Sequence, residues 1–207
     1  MATGALSESR PRRLETLILA AGSGSRFGGR KLLAPWRGGL VLEATLAAAF
    51  QAPGRSVRVV TGADGQAVGD AARAYADRTG QAGRLKIVHA AAHADGLAAS
   101  LKVGIESLPD GAEGIFLFLG DMPLVPPETA GQLLAVLGPD QQAAAPLFEG
   151  QRGHPVLMMA SLFPALARLT GDRGAGALLT SLGYALALME TGDPGVLKDI
   201  DRREDLE

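Results

Sequence analysis

Apolar runs of strand length alternate with helical stretches through the first two thirds of the chain. The runs predicted as strands are Leu14–Ala20, Ser56–Thr61, Leu85–His89 and Gly114–Leu119. The stretches predicted as helices are Leu40–Gln51, Gln66–Arg78, Gly96–Leu108 and Pro127–Leu137. Strands that alternate regularly with helices favour right-handed βαβ crossovers and a parallel sheet. The predicted fold is therefore α/β, a three-layer, Rossmann-like architecture with a mostly parallel sheet flanked by helices.

The regular alternation of predicted strands and helices ends after Gln142. The segments predicted there are the strands Ala143–Phe148 and Gly153–Met159, the short helices Ser161–Leu169 and Gly174–Ser181, and the strand Tyr184–Thr191. No stretch is rich enough in Pro, Gly or Ser to act as a linker between domains, and no repeat is present. We expect a disordered tail over residues 1–13, because the ends of a chain are poorly ordered unless they are tied down. A single domain is expected over residues 14–207.

Composition narrows the class of protein. The chain is 47% hydrophobic, which supplies a sizeable core, and its net charge of −2 argues against a general nucleic-acid binder. The absence of cysteine excludes a disulfide framework, a cysteine nucleophile and a thiolate metal site. The three histidines, His89, His93 and His154, are too scattered to predict a zinc site.

Nothing in the sequence predicts contact with a membrane. No apolar run approaches the ~20 residues that a membrane-spanning helix needs. The first eleven residues, MATGALSESRP, lack the apolar region of a secretory signal. The expectation is a soluble cytoplasmic protein with neither membrane nor nucleic acid as a partner.

The first predicted strand runs into a glycine-rich loop that carries two cations. The segment from Gly22 to Lys31 has the sequence GSGSRFGGRK. Glycines let the backbone turn with positive φ and bring several N–H groups around one anion. Arg26 and Lys31 add positive charge to the same loop. Together these features predict a binding site for a phosphate-rich ligand.

Two familiar phosphate loops fit this segment poorly. The P-loop pattern requires Ser or Thr after its lysine, where this chain has Leu32. The dinucleotide fingerprint begins well but has Phe27 at its third glycine position. The acid for its ribose would be Glu43, which lies within a predicted helix and not at the end of a second strand. A glycine-rich turn with surface cations is the remaining alternative.

Three carboxylates are candidate metal ligands. Asp121 directly follows the apolar strand that ends at Leu119, in the sequence GDMP. A carboxylate there suits Mg²⁺, which combines one or two carboxylates with phosphate oxygens; the alternative is that Asp121 caps a turn. Asp199 and Asp201 are two residues apart and would face the same way in a strand. The alternative for this pair is a solvated tail.

Six segments, in order along the chain, resemble motifs of the molybdenum cofactor nucleotidyltransferases, and especially of their cytidylyltransferase branch. They are LAAG with the Arg, Gly and Lys that follow it (Leu19–Lys31), DGLAASLKVGI (Asp95–Ile105), GDMP (Gly120–Pro123), RGHPV (Arg152–Val156), GDRGAGALL (Gly171–Leu179) and DID (Asp199–Asp201). The chain thus resembles a MobA-like NTP transferase, which implies a nucleotide-diphospho-sugar transferase-like fold.

The resemblance implies a Mg²⁺-dependent reaction, with Mn²⁺ as a possible substitute, in which CMP passes from CTP to the terminal phosphate of a molybdopterin-type acceptor. It assigns catalysis to Arg26, Lys31 and Asp121, and the metal to Asp121 with Asp199 or Asp201. The nucleotide would contact Leu19, Ala20, Ala21, Gly22, Ser23, Gly24, Gly96 and Ser100. The acceptor would contact Arg152 and His154, with Asp172 and Arg173 as further candidates. From the residues alone, His154 is equally well explained as a structural histidine beside Pro155.

The identity of the base and of the acceptor stays open at this stage. Ala21 adds a methyl group where guanylyltransferase relatives tend to have glycine, which favours a pyrimidine and hence CTP. GTP or ATP are the alternatives, and a sugar phosphate or methylerythritol phosphate is an alternative acceptor. A third hypothesis is a non-catalytic nucleotide-binding accessory protein that serves a molybdenum hydroxylase or its chaperone.

Overall fold

A computed structural model describes residues 12–171 and 174–206. The tail expected at the start of the chain lies outside this range except for Arg12 and Arg13, and the acceptor candidates Asp172 and Arg173 also lie outside it. Within this range, no helix is both long enough and apolar enough to cross a membrane.

Strands and helices follow one another in the predicted order. The strands are β1 (Leu14–Ala20), β2 (Pro35–Trp36), β3 (Gly39–Leu40), β4 (Val57–Thr61), β5 (Leu85–His89), β6 (Gly114–Leu119), β7 (Ala143–Phe148), β8 (Gln151–Arg152), β9 (Val156–Met159) and β10 (Leu186–Glu190). The helices are α1 (Val41–Gln51), α2 (Gly65–Arg78), α3 (Leu97–Glu106), α4 (Thr129–Val136), α5 (Phe163–Leu166) and α6 (Gly176–Ser181).

Eight strands of the described residues form one mostly parallel sheet. Its order is β10-β7-β9-β6-β1-β4-β5, and β8 pairs with β7 beside this path. The pairs of β1 with β4 and β6, of β4 with β5, and of β7 with β10 are parallel. Only β8 and β9 pair antiparallel with their neighbours in this sheet. The α/β fold class predicted from the sequence is confirmed.

Successive side chains of the central strands pack into two separate hydrophobic cores, one on each face of the sheet. On β1, Ile18 packs into a cluster with residues of α1, α2 and α4. Its neighbours Leu17 and Leu19 pack on the other face, with residues of α3, α5 and α6. Because both faces of β1 are covered, all seven of its residues are buried, and its apolar residues do not alternate with exposed polar ones. These two cores are what make the fold three layers.

The structure departs from the sequence predictions mainly where backbone contacts override local pattern. The strand expected from Gly153 begins only at Val156, because Gly153 N–H donates to Pro146 O and His154 N–H donates to Val196 O. The pair β2–β3 was not predicted, since two-residue strands carry no periodicity. Its turn is formed by Arg37 and Gly38, both with positive φ (44° and 86°).

One ion pair lies deep at the opposite end of β1 from the glycine-rich loop. Arg58 Nη1 lies 3.0 Å from Glu15 Oε2, and the side chains are only 10% and 4% exposed. Ser56 hydrogen-bonds both partners, and Arg58 Nε donates to Ser107 O. Neighbouring groups therefore satisfy both buried charges.

We expect Glu15→Ala to lower the free energy of unfolding by about 3–5 kcal/mol, because it leaves the Arg58 charge buried and unpaired. The matched control is Asp70→Ala, which removes the exposed pair with Arg73 (61% and 56% exposed) and should cost about 0–1 kcal/mol. Urea unfolding measures both. Equal losses would contradict a structural role for the buried pair.

Candidate active site at the carboxyl edge of the sheet

The loops that follow β1, β4, β5 and β6 meet at one edge of the sheet, as parallel strands dictate. The segments that follow β1, β5 and β6 line a cleft of about 610 Å³. The predicted nucleotide-site residues that line it are Leu19, Ala21, Gly22, Ser23, Gly96 and Ser100, and they are joined there by Asp121. One continuous cleft thus brings together the glycine-rich loop, the carboxylate after β6 and the start of α3.

The glycine-rich loop is built around Gly24. Its φ of 60° lies in the left-handed region, and a Cβ at this position would lie 3.1 Å from Lys31 Cβ. Gly24 O accepts the N–H groups of Phe27 and Gly29, each at 3.0 Å, which closes the loop on itself. Glycine is therefore required both for the conformation and for the close approach to Lys31.

Backbone N–H groups at the start of the loop are available to a ligand. Within the described part of the chain, neither Gly22 N–H nor Ser23 N–H donates a hydrogen bond. Both residues line the cleft. Such free N–H groups suit an anion, because backbone N–H groups that point at one place carry partial positive charge there.

Two cations of the loop are paired with two carboxylates, of which Asp121 lines the cleft. Lys31 Nζ donates to Asp121 Oδ2 at 2.6 Å and lies 3.9 Å from Asp201 Oδ1. Arg26 Nη1 donates to Asp201 Oδ2 at 3.0 Å. Lys31 and Asp121 are 13% and 23% exposed, whereas Arg26 is 75% exposed. The inner pair is thus shielded from water and the outer pair is not.

The backbone around Asp121 is clamped from two sides. Thr45 Oγ1, on α1, donates to Gly120 O at 3.1 Å, and Ile200 N–H donates to Asp121 O at 2.8 Å. Thr45 is completely buried in a helix that is otherwise mostly apolar. Its hydroxyl therefore fixes the turn that presents the carboxylate, a role that the sequence analysis missed. The available signal was a polar residue between the apolar positions Leu42 and Leu46 of this helix.

The last described segment is not a solvated tail. Ile200 is buried against Phe27, Trp36 and Val41. The Arg203 guanidinium lies over the Phe27 ring, 5.1 Å from its centroid. Further along, Asp205 Oδ2 accepts the N–H groups of Asp201 and Arg202 at 2.8 and 2.7 Å. These contacts hold Asp199 and Asp201 beside the glycine-rich loop.

The three acidic candidates share an electrostatic environment. Burial and the negative charge of Asp121 raise the pKa of Asp199, and Asp201 contributes to the rise in the same direction. Among residues 12–171 and 174–206, however, no group of three or more His, Asp or Glu side chains has the arrangement of a complete metal site. This donor set fits a cation that takes its remaining ligands from substrate phosphates, as Mg²⁺ does.

Some predicted residues lie outside the cleft and some lining residues were not predicted. Ala20 points its side chain into the core, and Gly24 lies against Lys31. His93 lines the cleft without having been a candidate. It lies next to Ala21 because Gly62 has no side chain, and a Cβ there would collide with both residues. No sequence motif marks this three-way contact.

The two acceptor candidates line a second, smaller cavity. Arg152 and His154 lie in a cavity of about 220 Å³ on the α3 and α6 side of the sheet. Leu19, Leu97 and Leu119 line both this cavity and the cleft. Most of the predicted nucleotide-binding residues thus line one nucleotide-sized cleft, whereas the acceptor candidates Arg152 and His154 line the adjoining, mostly apolar cavity.

Comparison with known proteins identifies a family. A family model described as MobA-like NTP transferase domain matches residues 16–186. The chain is 28% identical over 193 residues to molybdenum cofactor cytidylyltransferase of Escherichia coli (strain K12), with 93% of each chain covered. It is 29% identical over 198 residues to nicotine blue oxidoreductase of Paenarthrobacter nicotinovorans, with 92% of this chain and 93% of the relative covered.

Solved structures have the same architecture. The crystal structure of Rv0371c from Mycobacterium tuberculosis H37Rv matches with a TM-score of 0.77 at 30% identity, covering 95% of this chain and 96% of that one. A structure of the same mycobacterial protein in complex with manganese matches with a TM-score of 0.68 at 29% identity, covering 87% and 88%.

We expect His154 to make stability depend on pH. Burial lowers the pKa of His154, and this is opposed by Leu117 O, which faces Nδ1, and by the charge of Asp121. As the pH falls through about 6.5, the unfolded chain gains a proton at this histidine that the folded chain does not. The wild type should therefore lose stability by up to about 1.4 kcal/mol per pH unit from this residue.

The measurement is urea unfolding of the wild type and of His154→Gln near pH 8 and near pH 5.5. The stability difference between the two proteins should move in favour of His154→Gln as the pH falls. A difference that stays constant would show that His154 does not titrate differently in the two states.

Proposed function

The chain belongs to the MobA-like NTP transferase family, and on that premise we propose that it transfers CMP from CTP to the terminal phosphate of a molybdopterin-type acceptor. The observation that carries the proposal is the shielded pair of Lys31 with Asp121 at the mouth of the glycine-rich loop. It places a cation for phosphate oxygens next to a carboxylate for a metal, and Asp121 lines the nucleotide-sized cleft.

The reaction balances without a protein nucleophile. An oxygen of the acceptor phosphate attacks the α-phosphorus of CTP and forms a new P–O bond. The bond between the α-phosphorus and the bridging oxygen breaks, and pyrophosphate leaves with its electron pair. Because the attacking phosphate is already ionised near neutral pH, the protein's task is to orient two anions and to offset their repulsion.

The described residues suit that task. Lys31 would bind triphosphate oxygens and stabilise the charge that develops on the leaving pyrophosphate. Arg26, which is more exposed, would hold the outer phosphates. The free N–H groups of Gly22 and Ser23 would bind phosphate oxygens, while Ser100 at the far wall of the cleft would contact the ribose or base.

Asp121, with Asp199 or Asp201, would hold Mg²⁺ or Mn²⁺. When bound, such an ion neutralises phosphate charge and fixes the geometry of the phosphates. The manganese complex of the mycobacterial relative supports binding of a divalent ion. A divalent ion at Asp121 would compete with Lys31 for the charge of this carboxylate and so favour a contact of Lys31 with the triphosphate.

CTP is the proposed donor because Ala21 narrows the wall of the cleft. Ala21 lines the cleft near Gly62 and His93, and its methyl group would leave less room for a purine than a glycine would. One methyl group typically contributes only about 1–3 kcal/mol of discrimination. The relative from Escherichia coli, which is named for cytidylyl transfer, supports the same base.

A screen for pyrophosphate release tests donor and acceptor together. The purified protein is incubated with Mg²⁺, molybdenum-loaded molybdopterin, and CTP, GTP or ATP in separate reactions. Release with CTP is the expected result, and release with GTP or ATP would overturn the base assignment. Parallel reactions with glucose 1-phosphate and methylerythritol phosphate test the alternative acceptors. Nucleotide binding without release from any acceptor would favour an accessory protein that serves a molybdenum hydroxylase.

The same screen includes a redox control, because a relative of equal similarity is named an oxidoreductase. NADH and NADPH are supplied with and without the pterin acceptor, and their oxidation is followed by absorbance. Oxidation of either cofactor without pyrophosphate release would contradict the transferase proposal.

We expect Lys31→Ala and Asp121→Ala each to lower kcat/KM by about 10²-fold or more, as does the loss of a group that stabilises transition-state charge. The control is Lys102→Ala, which removes an exposed lysine of α3 that lies 3.9 Å from Glu106. Steady-state pyrophosphate release measures all three variants. Near-normal turnover of Lys31→Ala and Asp121→Ala, with folding verified, would refute the assigned roles.

A further inference from the structure

The smaller cavity has walls unlike those of the nucleotide cleft. Aliphatic side chains from β1, β6, β9, α3 and α6 form most of its surface, and none of the described residues that line it carries a carboxylate. Among the described residues that line it, Arg152 and His154 carry the only polar side chains. A polyol would bury several hydroxyl groups without partners here, which is costly. The cavity is thus suited to a ligand with an apolar body.

The volume of the cavity limits the size of the apolar part of the ligand. A dry protein cavity of about 150 Å³ accommodates benzene. The 220 Å³ found here is larger but still smaller than the pockets of about 300 Å³ and above that bind drug-sized ligands. One planar system of two fused rings matches this space.

Arg152 supplies a positive charge at this cavity. Its Nη2 donates to Gly176 O at 3.2 Å and to Thr180 Oγ1 at 2.8 Å, which fixes the guanidinium against α6. Among the described residues it has no carboxylate partner, unlike Arg26, Arg58 and Arg73. Its remaining N–H groups are available to an anion or a carbonyl of a ligand.

His154 supplies an acceptor. Its Nδ1 faces Leu117 O at 3.5 Å, and burial lowers its pKa, so the neutral ring with hydrogen on Nδ1 is favoured. In that tautomer Nε2 carries a lone pair. His154 therefore complements a ligand N–H group, whereas Arg152 complements an anionic or carbonyl group.

We propose that this cavity binds a planar fused-ring heterocycle that presents an N–H donor to His154 and an anionic or carbonyl group to Arg152. Resting on the proposed function, the heterocycle is the ring system of the acceptor. Because Leu19, Leu97 and Leu119 border both the cavity and the cleft, a phosphate attached to that ring reaches toward the nucleotide. The cavity selects heterocyclic acceptors over sugar phosphates.

The test uses indole-2-carboxylate, which has two fused rings, an N–H group and a neighbouring carboxylate. Its affinity is measured by calorimetry without nucleotide or metal, and Mg²⁺–CTP binding is measured on the same proteins. We expect Arg152→Met to weaken binding of this probe by about 10- to 100-fold, as for the loss of a hydrogen bond to a charged group. The control Arg168→Met removes an exposed arginine that does not line the cavity and should leave the affinity unchanged.

Two further arms test the shape of the cavity and the role of His154. Ala175→Leu, which places a larger side chain in the cavity wall, should weaken the probe at least about tenfold. Benzofuran-2-carboxylate lacks only the N–H donor and should bind about 2- to 10-fold more weakly to the wild type. In His154→Leu the two probes should bind equally. All variants should bind Mg²⁺–CTP as the wild type does, which shows that they are folded.

Several results would overturn the cavity assignment. They are no binding of indole-2-carboxylate by a wild type that binds CTP, displacement of the probe by Mg²⁺–CTP, equal affinity in Arg152→Met and Ala175→Leu, or tighter Arg152-dependent binding of glucose 6-phosphate. None of these results would contradict the proposed transfer reaction. Conversely, the absence of pyrophosphate release with intact probe binding would refute the proposed function and leave the cavity assignment in place.

Discussion

The site depends on one constraint: Lys31 and Asp121 lie close enough to neutralise each other. Their 2.6 Å contact is possible because β1 and β6 are adjacent parallel strands, whose loops must leave the sheet at the same edge. Gly24 lets the first loop fold back onto Lys31. Thr45 and the C-terminal segment hold the turn of Asp121. The packing of the sheet, the conformation of the glycine-rich loop and the C-terminal segment thus all help to position this one ion pair.

This pairing offsets the desolvation cost of the two charged side chains when no substrate is bound. A half-buried lysine or aspartate without a partner would be costly to desolvate. Paired, the two side chains keep the empty cleft nearly neutral. A divalent ion and a triphosphate bring opposite charges, so each substrate group can replace one partner of the pair. The same argument applies at the rim, where Arg26 and Asp201 are paired in more exposed positions.

The strand and helix pattern predicted the three-layer fold, because hydrophobic periodicity reports which faces are buried. The loop cations, Asp121 and the small residues of the cleft were also recognisable, since their types match the chemistry of phosphates. Contacts between distant segments were not recognisable. The sequence could not show that Ile200 packs on Phe27, that Thr45 supports Gly120, or that Gly62 lets His93 approach Ala21. Those contacts join positions far apart in the chain and leave no local pattern.

The most direct test of this account is the affinity of CTP for the wild type and for Asp121→Asn in the absence of divalent metal. Removing the carboxylate charge frees Lys31 while keeping the side-chain shape. If the two residues neutralise each other, Asp121→Asn binds metal-free CTP about tenfold more tightly than the wild type, and Mg²⁺ no longer strengthens binding. Unchanged or weaker metal-free binding by Asp121→Asn would contradict the central claim.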